Sequence, residues 1–302
     1  SLGLVGSEMC IRDSHRFADK KGLKRLWLIL SVVANMAVLL VFIRSGHSNY
    51  DVTSIFTGKG AMLKLFPVWG AGVFTLHGIS YCMDIYRKEI EPEKNFLLVS
   101  QYICFFPCFS CGPILRFSDM SEQLRKPVIT SGKLAEGIKL MLIGFAEKLF
   151  LSDPMYEMWH HIRGVSADSL SAACAWLGII AFSFAFYYEL RAYSHIAQGI
   201  GSMLGFELPD NFDLPFMSAG FNELIKRFAC TFYSWVRDYF YRPICRNKDS
   251  VCLWALILSV LAGSVWYGYG RHTMLWAAFI CVMLGIEYLL KNILAAVPTG
   301  VR

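Results

Sequence analysis

"LSAACAWLGIIAFSFAFYY", residues 170–188, contains no charged side chain. The hydrocarbon core of a bilayer is about 30 Å thick, and a helix crosses it with about 20 apolar residues. The run has that length and character, so it reads as a membrane span. Working outward, similar runs recur. "LWLILSVVANMAVLLVFI", 26–43, is uncharged and ends at Arg44. Leu65–Met83 is a second run, interrupted by Pro67, Gly70, Gly72 and Gly78. Membrane helices tolerate such breakers where neighbours satisfy the backbone again. "FLLVSQYICFFPCFSCGPIL", 96–115, is uncharged and carries prolines at 107 and 113, which implies a broken or re-entrant far end.

A polar connection follows, in which Thr130 or Ser131 is placed to cap the next helix. Residues 137–151, "GIKLMLIGFAEKLFL", set Lys139, Glu147 and Lys148 in an apolar pattern. This is the pattern of a short span or an in-plane amphipathic helix. Two late runs are Val251–Gly270 and Thr273–Leu290, with Glu287 near the end of the second. Ahead of them, after the run 170–188, residues 189–249 mix aromatics, glycines and charges. That region is too polar to span simply and too apolar for a soluble loop. It implies half-inserted helices around a polar cavity. No internal repeat is visible.

Composition agrees. Of 302 residues, 55% are apolar, 15% aromatic and only 17% charged, against about 25% charged in soluble domains. The net charge is +6. Its basic residues flank apolar runs (Lys20, Lys21, Lys24 and Arg25 before the first; Arg242, Arg246 and Lys248 before a later one). That is the positive flank of cytoplasmic membrane loops, not a nucleic-acid surface. Ten cysteines are present, but Cys108 and Cys111 make a single CxxC with no second pair or nearby histidine. Neither a zinc site nor disulfides are indicated.

Residues 1–14, "SLGLVGSEMCIRDS", match nothing that follows and are similar to a translated sequencing linker. They are set aside as non-native. The remainder, 15–302, is expected to be one transmembrane domain, incomplete at both ends.

Three stretches carry a family resemblance. "GISYCMDIYRKEIEPEKNFLLVSQYICFFPCFSCGPILRFSDMSEQLR", 78–125, has the order Ser-Tyr-x-x-Asp-x-Tyr-Arg, Asn-Phe, Phe-Phe-Pro and Gly-Pro-Ile-x-Arg. "YSHIAQGIGSMLGFELPDNFDLPF", 193–216, has Tyr-Ser-x-x-Ala-x-Gly and then Gly-Phe-x-x-Pro-x-Asn-Phe. "SWVRDYFYRP", 234–243, contains Trp-x-Arg-Asp-Tyr. In this combination, over about residues 24–290, the chain resembles membrane-bound O-acyltransferases, closest to their bacterial alginate O-acetyltransferase and D-alanyl transfer branch.

The resemblance implies an all-α integral membrane protein, a multi-span bundle with re-entrant and amphipathic helices around a central tunnel. It implies acyl transfer from a thioester, acetyl-CoA or an acyl carrier, to a hydroxyl of a cell-surface polysaccharide or carrier. A periplasmic or extracellular acyl-relay protein is the implied partner, and the bacterial inner membrane the implied site. No bound cofactor and no metal are expected. In the family a tunnel histidine, usually within Trp-His-Gly, acts as general base, and a second histidine often precedes Trp-x-Arg-Asp-Tyr.

The chain departs at both places. Alignment on Trp266, Gly268 and Trp276 puts the first histidine at Tyr267. Alignment on Glu223, Lys226, Arg227 and Trp235 puts the second at Ala229. A phenol ordinarily titrates near 10 and is a weak base at neutral pH, and alanine is none. The resemblance therefore allows two roles, a weakened acyltransferase or a non-catalytic relative serving as a membrane scaffold or export partner.

Of the seven histidines, His195 is the best substitute base, because it replaces the family's Asp after Tyr-Ser. His77 reads as a histidine hydrogen-bonded between helices, and His272 as a helix-end residue. Donor- and substrate-binding candidates are Arg116, Asn211, Lys226, Arg227, Trp235, Arg237, Asp238 and Trp266. Guanidinium groups suit the phosphates of a nucleotide carrier, so Arg237 with Asp238 is placed at a thioester entrance or, equally, in an interfacial ion pair. Lys226 and Arg227 suit lipid phosphates as well. Asn211 reads first as a turn residue, and Glu189 as a partner of Arg191 or Arg116.

Overall fold

The computed structural model describes residues 25–26, 28–37, 71–109, 111–166, 168–245, 253–267 and 271–296. The expected linker at 1–14, the end of the first run (38–43) and the start of the second (65–70) fall outside these residues. Among the described residues, all regular structure is helical. They form two compact units, one made of the chain up to Pro92 with the chain from Phe212, the other of Glu93–Asn211. Two described helical segments are long and apolar enough to cross a membrane, Ala172–Met203 and Met274–Lys291.

The first unit contains α1 (Leu28–Ala37) and α2 (Ala71–Arg87). The second opens with α3 (Phe96–Ile103), whose first turn is capped by Asn95, its side chain accepting from the Leu97 N–H at 3.1 Å. The helix stops ahead of Pro107, which opens a 3₁₀ turn at Phe106–Cys108. The expected break in this run is therefore where the proline puts it. The Tyr102 hydroxyl donates to the Leu115 carbonyl oxygen at 2.9 Å and folds the following loop back. Then come α4 (Phe117–Arg125) and α5 (Ser131–Ala146). Thr130 caps α5, accepting from the Lys133 N–H at 3.2 Å.

After α5 the helix widens into a π turn at Glu147–Ser152 and continues as α6 (Asp153–Arg163). This rod lies antiparallel to α7 (Ala172–Met203). The register is set by small residues. A Cβ on Gly137 would lie 2.6 Å from the Gly199 carbonyl oxygen, and one on Gly144 2.7 Å from that of Ala192. Backbones this close exclude any side chain, and the gain is dispersion along the whole contact. Further along, the Ser152 hydroxyl donates to the Ala185 carbonyl oxygen at 3.1 Å, and Gly178 abuts Ile162.

Two expectations change here. The apolar run 170–188 does not end at its last tyrosine: α7 runs on through the polar residues to Met203, because its small residues keep it against α5. Glu189 pairs with Lys148 at 3.2 Å, not with an arginine, while Arg191 pairs with Glu147 at 3.3 Å. The π turn delivers Glu147 and Lys148 to α7 together, where Arg191 and Glu189 meet them.

The first unit resumes with a 3₁₀ turn at Pro215–Met217, α8 (Phe221–Arg227) and α9 (Cys230–Val236). A second π turn, Arg237–Tyr241, extends α9. Last come α10 (Leu253–Tyr267) and α11 (Arg271–Ala296), which pack on each other. The outer faces of α7 and α11 are apolar, with Trp176, Leu177, Ile179, Leu275, Phe279 and Leu289 exposed. Apolar surface on this scale suits a hydrocarbon solvent rather than water.

Gly144→Ala is expected to destabilise the protein by about 1–3 kcal/mol through forced separation of α5 and α7. Gly285→Ala, where an added methyl meets nothing within 4 Å, should be neutral or slightly stabilising. Thermal unfolding of the two variants in detergent compares them directly.

Candidate functional site

The junction of α8 and α9 turns on one residue. Ala229 has φ +53° and ψ 58°, the left-handed conformation, and is 8% exposed. For an L-residue with a Cβ this costs about 1–2 kcal/mol. The flanking backbone holds it there. The Phe228 N–H donates to the Leu224 carbonyl at 2.8 Å, and the Tyr233 N–H to that of Ala229 at 2.9 Å. The Asp213 N–H closes the turn on the Arg227 carbonyl at 3.0 Å. Strain of this kind persists only where neighbours over-determine it, and it clusters at functional sites.

Downstream, α9 and its π turn pack on α2. The Trp235 indole donates to the Leu76 carbonyl at 3.3 Å. The Tyr239 hydroxyl lies 2.7 and 2.8 Å from the Asp84 carboxylate oxygens. Arg87 donates to the Asp238 carbonyl at 3.0 Å and stacks over the Tyr239 ring at 5.2 Å. Asp238 itself is buried and receives Arg237 at 2.9 Å and Arg242 at 3.0 Å. The π turn widens the helix so that Asp238 and Tyr239, adjacent in sequence, are both turned inward.

Asp84 and Arg87 belong to Ser-Tyr-x-x-Asp-x-Tyr-Arg, and Asp238 and Tyr239 to Trp-x-Arg-Asp-Tyr. Two of the motifs that carry the resemblance are thus halves of one hydrogen-bonded constellation. The sequence profile of the MBOAT, membrane-bound O-acyltransferase family, matches residues 87–301. The chain belongs to the membrane-bound O-acyltransferase family.

Its relatives agree. The chain is 30% identical over 268 residues to a probable alginate O-acetylase of Pseudomonas aeruginosa, covering 86% of this chain and 51% of the relative. It is 26% identical to a peptidoglycan O-acetyltransferase of Helicobacter pylori, covering 87% of this chain and 55% of that one. A teichoic acid D-alanyltransferase of Streptococcus thermophilus is 22% identical, with 72% and 55% covered. The chain spans about half the length of the curated relatives it matches.

The candidate residues divide between the units. The first unit holds Lys226, Arg227, Ala229, Trp235, Arg237, Asp238, Trp266 and Tyr267, and the second holds Arg116, His195 and Asn211. Lys226 is exposed. Arg227 is committed to Glu223 at 2.7 Å. The Ala219 N–H and then Arg227 hold the Glu223 carboxyl below the usual carboxylate range. Arg237 and Arg242 are both paired with Asp238, a geometry that leaves the thioester-entrance and ion-pair readings of Arg237 and Asp238 both open.

On α10, a Cβ added at Gly263 would lie 3.5 Å from the Phe232 ring and 4.0 Å from Val236. Ala229 precedes Phe232 by one turn, and Tyr267, the last residue of α10, follows Gly263 by one turn. The side chains of Trp266 and Tyr267 lie outside the described residues.

In the second unit, Gln198 holds the turn before Asn211, donating to the Pro209 carbonyl at 3.0 Å and to Asp210 at 2.9 Å. Asn211 is buried at that turn. His195 Nδ1 lies 2.8 Å from Glu147 Oε2. Sequence reasoning did not join these two residues, which are 48 positions apart. The one available signal was a carboxylate in an otherwise apolar helix, since such a group needs a polar partner.

Tyr239→Phe removes a buried hydrogen bond to a carboxylate. It is expected to lower stability by about 1.5–3 kcal/mol, read by thermal unfolding in detergent, with Ser234→Ala on the same helix as the milder control.

Proposed function

We propose that this chain is the core of an acyl-transfer protein of the bacterial inner membrane that keeps the family's catalytic scaffold without its general base. The scaffold serves transfer from an acyl thioester, acetyl-CoA or an acyl carrier, to a hydroxyl of a cell-envelope polysaccharide, with an acyl-relay protein as partner. In that reaction the hydroxyl oxygen attacks the thioester carbonyl and a base takes its proton. The thiol leaves. General base catalysis is typically worth about 10²–10⁴-fold.

The observation that carries this reading is the left-handed backbone of buried Ala229. Histidine occupies that region several-fold more readily than most residues with a Cβ. The position keeps a conformation suited to the imidazole that the family places there, while the side chain present has no proton acceptor. The contact of Gly263 with Phe232 and Val236 supports the pairing of position 229 with position 267 across α9 and α10. An antiparallel course of the two helices brings those positions to the same end of the contact. Around them we place the family's tunnel, crossing a multi-pass bundle.

A second reading has an observation of its own. A histidine whose Nδ1 is held by a carboxylate presents Nε2 as a base, and His195 with Glu147 has that geometry. In this reading residual turnover depends on His195.

With labelled acetyl thioester and a polysaccharide acceptor, the protein is expected to turn over at least about a hundredfold below a relative with Trp-His-Gly. Ala229→His combined with Tyr267→His should raise the rate by about that factor. Turnover at the relative's rate, lost in His195→Ala, would reject the first reading in favour of the second.

A further inference from the structure

Glu287 is a carboxylate within Met274–Lys291, a stretch apolar enough to cross a membrane. A charge there is expensive unless its oxygens are satisfied. Both are. Oε2 accepts from the Asn222 N–H at 2.7 Å, and Oε1 lies 2.5 Å from Lys291 Nζ. Only 17% of the side chain is exposed. Asn222 belongs to the first turn of α8, whose amide groups have no partner within the helix. Glu287 therefore caps α8 from another helix.

Two neighbours reinforce the contact. Phe221 meets Phe279 edge to face, with ring centroids 6.1 Å apart. At Gly220 an added Cβ would lie 2.9 Å from Glu287 Oε1, so the carboxylate occupies the space that a side chain would take. Gly220 has φ −158°, an extended backbone open to any residue. Its lack of a side chain serves the approach of the carboxylate, not the turn.

We propose that Glu287 is a positioning residue for the site at 229 and 267. It is carried on the helix that directly follows Tyr267, and it clamps the helix that leads directly into Ala229. One carboxylate thus couples the two chain segments on which the family places its histidines. The inference rests on the reading of those two positions given above, but the clamp is testable without it.

The test is amide hydrogen exchange on the whole chain in lipid nanodiscs, followed in the segment 219–228. Glu287→Ala is expected to speed exchange there roughly ten- to hundredfold, the factor carried by a hydrogen bond to a charged group. Exchange in 137–163 should stay unchanged. Gly220→Ala displaces the carboxylate without altering it and should produce the same local increase. Glu287→Gln keeps an acceptor at the same reach and should restore part of the protection. Unchanged exchange in 219–228 for both alanine variants, with the rest of the chain protected, overturns the clamp. If Glu287→Ala loses protection throughout, Gly220→Ala decides. In the Ala229→His, Tyr267→His background, Glu287→Gln should lower kcat with KM little changed. If that background shows no acyl transfer, the functional reading fails while the exchange result still judges the clamp.

Discussion

The phenol of Tyr239 set against the carboxylate of Asp84 is the contact on which the first unit depends. Both side chains are nearly sealed from solvent, at 4% and 3% exposure. A carboxylate in such a place is tolerated only with hydrogen-bond donors aimed at it. The phenol is one, and it reaches Asp84 from the widened stretch Arg237–Tyr241. Once widened, the helix also presents Asp238, and Arg237 and Arg242 converge on it while Arg87 takes its carbonyl. Breaking the contact would leave a buried charge short of a partner, so α2 and α9 hold one register.

The second unit solves the same problem in the same way. Its rod also widens into a π turn, at Glu147–Ser152, and this turn too starts with neighbouring charges. Glu147 takes His195 and Arg191, and Lys148 takes Glu189 and Asp153. A regular helix separates successive side chains by about 100°, and a π turn packs them closer on the helix circumference. In a largely apolar chain this brings several charges to one helix face, where they neutralise one another. The small residues Gly137, Gly144 and Gly199 bring the facing backbone near enough for those pairs to close.

Much of the fold was legible in the sequence because lipid imposes a simple rule of length and apolarity. The break at Pro107, the cap at Thr130 and the late helices followed from local chemistry. The extent of α7 did not. Its second half, with Glu189, Arg191 and His195, reads as polar by composition, and only its partners on the opposite rod make it a continuous helix. The motifs around the site were legible one at a time. Their union was not, since Asp84 and Tyr239 lie 155 residues apart and nothing local requires them to meet. Glu287 was visible only as an acidic residue near a span end, because its partner is a backbone N–H that any sequence provides.

Position 229 shows how the setting of a side chain is fixed without that side chain. Its strained conformation owes nothing to the alanine side chain. It follows from helix α8 ending at Arg227 and helix α9 beginning one turn later, with the hydrogen bonds of Phe228, Tyr233 and Asp213 closing the space between. An alanine there offers no proton acceptor, and the flanking hydrogen bonds hold the turn in its strained shape against the backbone's own preference. Trp235 and Tyr239 still anchor the following helix to α2 by bonds that do not involve position 229. The chemistry and the scaffold are therefore separable at this residue. Selection on the fold alone, as in a membrane scaffold, would preserve the geometry seen here as faithfully as selection on turnover.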